Sequence, residues 1–188
     1  MSAAAMPELQ IGDLVFIRIP VLFFRKVADT TASWTNHVGI VTGQKDGVWQ
    51  VAESCVPFAR QRSFDAFVAR SENRRYCIRR LPVPLDADQQ QRLQQAVARR
   101  LGTLYHTGFA LHSRRQFCSK FVHEVLREAC GIRVGRIETF AQLLGRNPDA
   151  QLGFWRLWFF GRIPWRRETI TPASELSCPH MTTVFDCA

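Results

Sequence analysis

The sequence of 188 residues predicts one α+β domain, in which a few antiparallel strands pack against amphipathic helices. Short β-branched segments bounded by turn residues indicate the strands, and apolar positions three and four residues apart indicate the helices. The length is sufficient for one sizeable core, and 46% hydrophobic with 22% charged residues is typical of a globular protein. We expect the ends, residues 1–10 and 177–188, to be loose because neither has a periodic pattern.

Four segments have the composition of strands, and two of them predict a hairpin. The four segments are 14–20, 37–43, 48–54 and 75–83. The turn signal Asp46-Gly47 lies between the second and the third, so these two strands are expected to pair as neighbours.

Helical periodicity appears in four other places. The predicted helices are 63–70, 86–101, the run that follows Cys118, and 137–145. The run after Cys118 has the clearest pattern, because Phe117, Phe121 and Val125 are spaced four apart. Gly131 stands where a C-terminal cap belongs, which predicts the end of this helix.

The charge balance is basic, with 25 Lys and Arg against 16 Asp and Glu, a formal net charge of +9. The arginines are scattered rather than clustered, which favours a generally solvated surface. No helix-turn-helix, RNA-binding or zinc-finger pattern accompanies them, so we predict no nucleic-acid partner. The chain begins without a secretory pattern, and its six cysteines form no C-x-x-C pair. Reduced thiols in the cytoplasm and no metal site are therefore expected.

The segment 154–165, FWRLWFFGRIPW, combines Trp and Phe with Arg. This composition occurs in helices that lie at a membrane interface, so peripheral membrane contact is one interpretation. Packing of the same aromatic side chains over the sheet is the other interpretation and the more common outcome in a compact chain. Nothing in the sequence determines the oligomeric state.

Cys118 is predicted to occupy the first turn of a helix. Unpaired N–H groups and the helix dipole stabilise a thiolate there, and such N–H groups can also bind an oxyanion. By position alone an inert core cysteine is the more frequent case, and Cys130 at the other end of the helix illustrates it. His123 follows Cys118 by five positions, about 140° around the helix, and therefore points elsewhere.

A reactive cysteine needs a base, and His37 opens a predicted strand directly after a polar segment. Gly39 shares its face of the strand and is expected to leave open space beside the imidazole. Glu53 would lie on the same face if the hairpin loop has three or five residues, and on the other face if it has two or four. Asp13 and Asn36 are alternatives for the residue that orients His37.

The segments WTNHVGIV, VAES and RQFCSKFV, in this order, resemble the circularly permuted papain-like enzymes. These are relatives of the NlpC-type cell-wall peptidases in which the histidine precedes the cysteine, and the similarity is closest to the YebB-type branch. IGDLVFIRI, LYHTGF, IETFAQLLGRNP and FWRLWFFGRIPWRRETITPAS extend it over about residues 11–174. The resemblance implies a permuted papain-like fold, with a small antiparallel sheet or half-barrel packed against helices and the nucleophile at a helix N-terminus.

The resemblance also implies a cysteine amidase or peptidase. Cys118 would be the nucleophile, His37 the general base and Glu53 the residue that holds the imidazole, with a thioester acyl-enzyme as the intermediate. Tyr105 or Gln116 would complete the oxyanion hole. A peptide-like amide is the implied substrate, and an acyl-lipid is the alternative, with either water or another nucleophile as acceptor. Such chemistry requires no metal or organic cofactor.

Overall fold

A computed structural model describes residues 7–187, and its largest element is a six-stranded antiparallel sheet. The strands are β1 Leu14–Ile17, β2 His37–Lys45, β3 Val48–Ser54, β4 Ala59–Ser63, β5 Tyr76–Arg80, β6 Glu138–Thr139, β7 Glu168–Thr169 and β8 Thr182–Asp186. The large sheet has the order β4-β3-β2-β1-β5-β8, and β6 pairs separately with β7.

The helices are distributed over the two faces of this sheet. They are α1 Leu22–Thr30, α2 Phe64–Val68, α3 Ala87–Ala98, α4 Cys118–Cys130, α5 Phe140–Arg146, α6 Leu152–Trp158 and α7 Pro172–Leu176. A sheet covered by helices confirms the predicted α+β class. Within residues 7–187, no helix combines the length and the hydropathy needed to cross a membrane.

Helix α4 forms where its periodicity predicted it. Phe121, Val122, Val125 and Leu126 are fully buried against one face of the sheet, together with side chains of α3. Gly131 ends the helix in the left-handed conformation, with φ of 75°, as the sequence predicted. The opposite face of the sheet is covered by α2 and by a group of aromatic side chains.

The hairpin β2–β3 contains an irregularity that determines which residues share a face. Its loop has only two residues, Asp46-Gly47, which would place Glu53 on the face opposite to His37. A β-bulge at Thr42 adds one residue to β2 and shifts the pairing by one position. The bulge restores the alternation, so Glu53 and His37 project from the same face.

The C-terminal segment is more ordered than the sequence predicted. The expectation of a loose end at 177–188 is wrong for Thr182–Asp186, which pairs with β5 as the edge strand β8. Arg79 of β5 holds the segment before this strand by donating hydrogen bonds to the carbonyl oxygens of Cys178 and Met181. At the other end Leu9 is buried, while residues 1–6 and 188 lie outside the described residues. An edge strand of five residues is too short to be recognised by periodicity.

Candidate active site

Cys118 is the first residue of α4, and its thiol is almost completely buried. Phe117, in extended conformation, directs the chain into the helix as its N-cap residue. The backbone N–H groups of Ser119 and Val38 and the hydroxyl of Tyr105 lie near the sulfur, and each lowers the pKa of the thiol. Because Val38 directly follows His37, the start of α4 meets β2 at the residue next to the histidine.

His37 and Glu53 form a fully buried pair on the sheet. The Nε2 atom of His37 is hydrogen-bonded to Oε2 of Glu53, as the shared face allows. The other ring nitrogen, Nδ1, has no hydrogen-bond partner in the described part of the chain, so it is not bonded to Cys118 in this conformation. Catalytic hydrogen bonds are often formed only when substrate binds, and the free nitrogen is the one a nucleophile would use.

Gly39 serves a different purpose from the one its position predicted. A Cβ atom at Gly39 would lie 2.5 Å from Cγ1 of Val51 and 2.8 Å from Cε2 of Phe67. The ring of Phe67 fills this space and stacks on the ring of His37, with centroids 5.8 Å apart. The predicted open space beside the imidazole is therefore absent, and the glycine instead allows an aromatic ring to hold the imidazole in place.

Three arginines surround the carboxylate of Glu53. Nε of Arg62 donates to Oε1 at 2.8 Å, a terminal nitrogen of Arg70 donates to Oε2 at 2.5 Å, and Nε of Arg60 lies 3.7 Å from Oε1. Burial alone raises the pKa of a carboxyl, but the bond to His37 and the charge of Arg70 outweigh burial and hold the pKa of Glu53 well below its usual range. Glu53 is thus a buried carboxylate that stays ionised.

Sequence reasoning missed these arginines, although one signal was present. Arg60 and Arg62 alternate along a short strand, which places both on one face. Only the pairing of that strand with the strand of Glu53 shows that the face is the one next to the carboxylate.

The ionisation of Cys118 differs from the expectation drawn from the helix N-terminus. Burial raises the pKa of the Cys118 thiol to about 12, and the nearby N–H groups and the Tyr105 hydroxyl lower it only in part. Burial also lowers the pKa of His37, against the opposing effect of Glu53. In this conformation the two groups are a neutral thiol and a neutral imidazole near pH 7, because loss of hydration penalises both charged forms.

Of the two candidates for an oxyanion donor, the structure brings Tyr105 to the cysteine. The Tyr105 hydroxyl lies near both the thiol and the backbone N–H of Cys118, and both interactions affect the pKa of Tyr105. The side-chain nitrogen of Gln116 instead donates to Glu124 at 2.9 Å. Its Oε1 is buried without a hydrogen-bond partner among residues 7–187.

The alternative orienting residues are engaged elsewhere. Asn36 exchanges two hydrogen bonds with the backbone of Ile19, at 2.8 and 3.1 Å. Asp13 accepts two hydrogen bonds from Arg80, at 2.8 and 2.7 Å. His123 points away from Cys118, as predicted, and is hydrogen-bonded through Nδ1 to the carbonyl oxygen of Val134.

A narrow cavity of about 30 Å³ lies beside Cys118. Its wall is mainly apolar and includes Phe24, Phe109, Phe117, Phe140, Trp155 and Ile170. Three of the polar side chains in the wall are already bonded within the protein. Thr30 accepts a hydrogen bond from Trp155, Asn36 is bonded to Ile19, and Ser119 donates to the carbonyl oxygen of Ile170. The wall is thus mostly apolar, and Tyr105, which also lines it beside Cys118, is a polar group that can donate to a ligand.

A cysteine at a helix N-terminus beside a strand histidine that is held by an acidic residue is the arrangement of papain-like enzymes. In this chain the histidine precedes the cysteine, as in the permuted members of that class. The family model described as permuted papain-like amidase, YaeF/YiiX, C92 family, matches residues 8–185, so the chain belongs to this family. The match confirms the resemblance to permuted papain-like enzymes.

Two comparisons with Escherichia coli proteins agree with this result. The protein YiiX of strain K12 is 26% identical over 177 residues, which cover 93% of this chain and 85% of YiiX. The crystal structure of metalloprotein yiiX, from strain O157:H7, superimposes with a TM-score of 0.86 at 27% identity. That alignment covers 94% of this chain and 97% of the solved chain, so the fold is shared over nearly its whole length.

Proposed function

We propose that this protein is a cysteine-dependent amide hydrolase. Cys118 is the nucleophile, His37 is the general base and then the general acid, and Glu53 holds the imidazole through Nε2. The observation that carries the proposal is the buried His37, whose Nδ1 has no hydrogen-bond partner among residues 7–187. His37 directly precedes Val38, and the N–H of Val38 lies next to the sulfur of Cys118 and lowers the pKa of the thiol. Family membership supports a hydrolase of the papain-like kind.

The neutral state of both groups indicates how the thiol is activated. As the Cys118 sulfur attacks the substrate carbonyl, its proton passes to Nδ1 of His37, and a new S–C bond forms while the carbonyl oxygen becomes negative. The ionised Glu53 stabilises the resulting imidazolium. When the tetrahedral intermediate collapses, the C–N bond breaks and His37 returns the proton to the leaving amine. Water, deprotonated by His37, then cleaves the thioester to release a carboxylic acid.

Tyr105 and the backbone N–H of Cys118 are proposed to bind the oxyanion. The hydroxyl now lies close to both the sulfur and that N–H. Because the Tyr105 hydroxyl remains protonated at neutral pH, it can donate to a negative oxygen at this point. Gln116 is the weaker candidate, since its amide nitrogen is bonded to Glu124.

The E. coli O157:H7 relative is described as a metalloprotein. In this chain, no three residues of the types His, Cys, Asp and Glu come together as a possible ligand set within residues 7–187. The described residues therefore do not fit a metal centre built from three such ligands, and the proposed steps use no metal.

Acyl-lipid hydrolysis or transfer is a second candidate, and the cavity beside Cys118 favours it. A peptide would need hydrogen-bond partners for its backbone, whereas Thr30, Asn36 and Ser119 of this wall are bonded within the protein. An unbranched hydrocarbon chain needs only apolar contacts. The aromatic lining therefore suits the first carbons of the acyl group of a lipid ester, thioester or N-acyl amide, and a longer chain requires the cavity of about 30 Å³ to widen.

The proposal is tested with 4-nitrophenyl esters and 4-nitroanilides of increasing acyl length. We expect a burst of product, and a mass increase equal to the acyl group on Cys118 in the intact protein. Cys118→Ala should abolish both, and His37→Gln should slow acylation by about 10² to 10⁴-fold. A rate that rises with acyl length would identify the acyl chain as the group held by the cavity.

Cys130→Ser is the matched control, because it alters the cysteine at the other end of the same helix. It should leave the burst and the adduct unchanged. Turnover that persists in Cys118→Ala, or an adduct on another cysteine, would overturn the assignment. Iodoacetamide labelling of Cys118 across pH independently checks its ionisation. Because the pKa of this thiol is raised, it should react slowly at pH 7 without substrate.

A further inference from the structure

Helix α6 and the turn after it divide into an inner set of aromatic side chains that pack and an outer set that does not. Trp155 is buried and donates its indole N–H to Thr30 at 2.8 Å. Phe159 packs against Phe140 with ring centroids 5.5 Å apart, and Trp158 stacks on Phe23 at 4.3 Å. The packing interpretation of the segment 154–165 therefore holds for its inner face.

The outer face carries two large apolar side chains in water. Leu157 is 80% exposed and Phe160 is 98% exposed. Phe160 also adopts φ of 52°, in the left-handed region that a bulky residue rarely occupies. A glycine would take this conformation without strain, so folding gives no reason for a phenylalanine here.

Cationic side chains flank this outer pair. Arg156 and Arg162 are both exposed, and neither makes an ion pair with any of the described residues. The arginines around Glu53, by contrast, are used inside the fold. Exposed Leu and Phe beside arginines without carboxylate partners are the chemistry of a surface that meets anionic headgroups and the first part of the acyl chains.

The exposed apolar surface continues at the start of α1. Leu22 is 67% exposed, and the next residue, Phe23, is the one that stacks on Trp158 of α6. Helices α1 and α6 are also joined by a 2.7 Å hydrogen bond from Lys26 to Gln151. The outer pair thus lies on a helix and its following turn that are held against α1, not on an isolated loop.

We propose that this protein binds the surface of an anionic lipid bilayer through Leu157 and Phe160, with Arg156 and Arg162 on the headgroups. The formal charge of +9 attracts the whole molecule to such a surface. The inference does not depend on the reaction at Cys118. It does place the membrane next to the cavity, because Trp155 of α6 lines that cavity.

Co-sedimentation with vesicles tests the inference, using phosphatidylcholine alone and phosphatidylcholine mixed with phosphatidylglycerol. Wild-type protein should bind the anionic vesicles, less strongly as salt increases, and should bind the neutral vesicles weakly. The double change Leu157→Ser with Phe160→Ser should reduce binding about tenfold or more. Arg156→Gln with Arg162→Gln should reduce binding to anionic vesicles only, and should weaken the salt dependence.

Phe160→Gly separates membrane contact from folding. Glycine tolerates the left-handed conformation, so this variant should melt at the same temperature as wild type or higher, while its vesicle binding falls. A lower melting temperature would assign Phe160 to the fold and count against the proposal. Val83→Ser is the matched control, because Val83 is 71% exposed outside this surface, and it should bind as wild type does.

Two results would overturn the inference. The first is that wild-type protein does not bind anionic vesicles at low salt, or that it and all the variants bind them equally. The second is that the wild-type protein associates with itself but does not bind vesicles, and that Phe160→Gly removes the self-association. That result would make a second copy of the chain the occupant of this surface.

Discussion

Glu53 and Glu175 are both completely buried, yet they are in opposite states. Glu53 is bonded to His37, Arg62 and Arg70, and its pKa lies well below the usual range. Glu175, on α7, has no hydrogen-bond partner for either carboxyl oxygen within the described residues. Burial therefore raises the pKa of Glu175 well above its usual value. Burial alone keeps a carboxyl neutral, and only partners brought from other strands and helices keep one charged.

The two glutamates should also give stability opposite dependence on pH. The folded-state pKa of Glu53 is below its unfolded value, so its contribution is present above about pH 4.5 and is lost as pH falls. The lowered pKa of His37 acts in the same direction from pH 6.5 downward. Glu175 has a raised folded-state pKa, so its contribution is present below pH 4.5 and is lost as pH rises.

The largest effect is expected from Glu53→Gln. Glutamine keeps the shape and can still accept the hydrogen bond from His37, but it removes the charge that compensates Arg62 and Arg70. The free energy of unfolding in urea should fall by about 3–5 kcal/mol at pH 7. The difference from wild type should shrink as pH falls below 4.5, where wild-type Glu53 loses its own advantage.

Glu72→Gln is the matched control for that change. Glu72 also pairs with two arginines, Arg18 at 2.9 Å and Arg25 at 2.5 Å, but it is partly exposed. Its loss should cost about 1 kcal/mol or less, because solvent screens an exposed pair. Equal losses for the two variants would contradict the role assigned to burial.

An effect of opposite sign, comparable in size at pH 7 but smaller at pH 5 to 6, is expected from Glu175→Gln. Wild-type Glu175 must take up a proton on folding above pH 4.5, whereas glutamine is neutral in both states. The variant should match wild type near pH 4 and gain stability relative to it by about 1.4 kcal/mol per pH unit above pH 4.5. Urea unfolding at several pH values measures this, and a difference that does not change with pH would show that Glu175 is ionised in the folded protein.

The smallest effect is expected from Arg60→Gln. The guanidinium of Arg60 is 3.7 Å from Glu53 and partly exposed, whereas Arg62 donates to the same oxygen at 2.8 Å. Arg60→Gln should therefore cost less than about 1 kcal/mol, and Arg62→Gln about 1.5–3 kcal/mol. Urea unfolding of Arg60→Gln and Arg62→Gln at pH 7 compares the two losses of free energy. A larger loss for Arg60→Gln would mean that Arg60 is the main partner of the carboxylate.

Helix α4 and the hairpin illustrate how far the sequence predicts the fold. Residues 117–131 contain the apolar spacing and the terminal glycine that define α4, so the position of Cys118 at its start was predictable. The pairing of β2 with β3 was predictable from Asp46-Gly47. The bulge at Thr42 was not, because a register shift depends on what each face buries after the strands have met.

The candidate site divides in the same way. The positions of His37, Glu53 and Cys118 could be predicted from local sequence patterns, since each residue occupies the end of a recognisable strand or the start of a helix. Their chemistry depends on distant segments: Arg62 and Arg70 keep Glu53 charged, Phe67 occupies the space at Gly39, and burial raises the pKa of Cys118.

Periodicity and capping act over a few residues and can be read directly from the chain. Hydration and charge compensation are set by everything that packs around a group. The sequence alone therefore determined which residues are brought to the ends of β2, β3 and α4, and with them the family. Only the tertiary structure decided that Glu53 is charged, that the thiol of Cys118 is neutral, and that Leu157 and Phe160 remain in solvent.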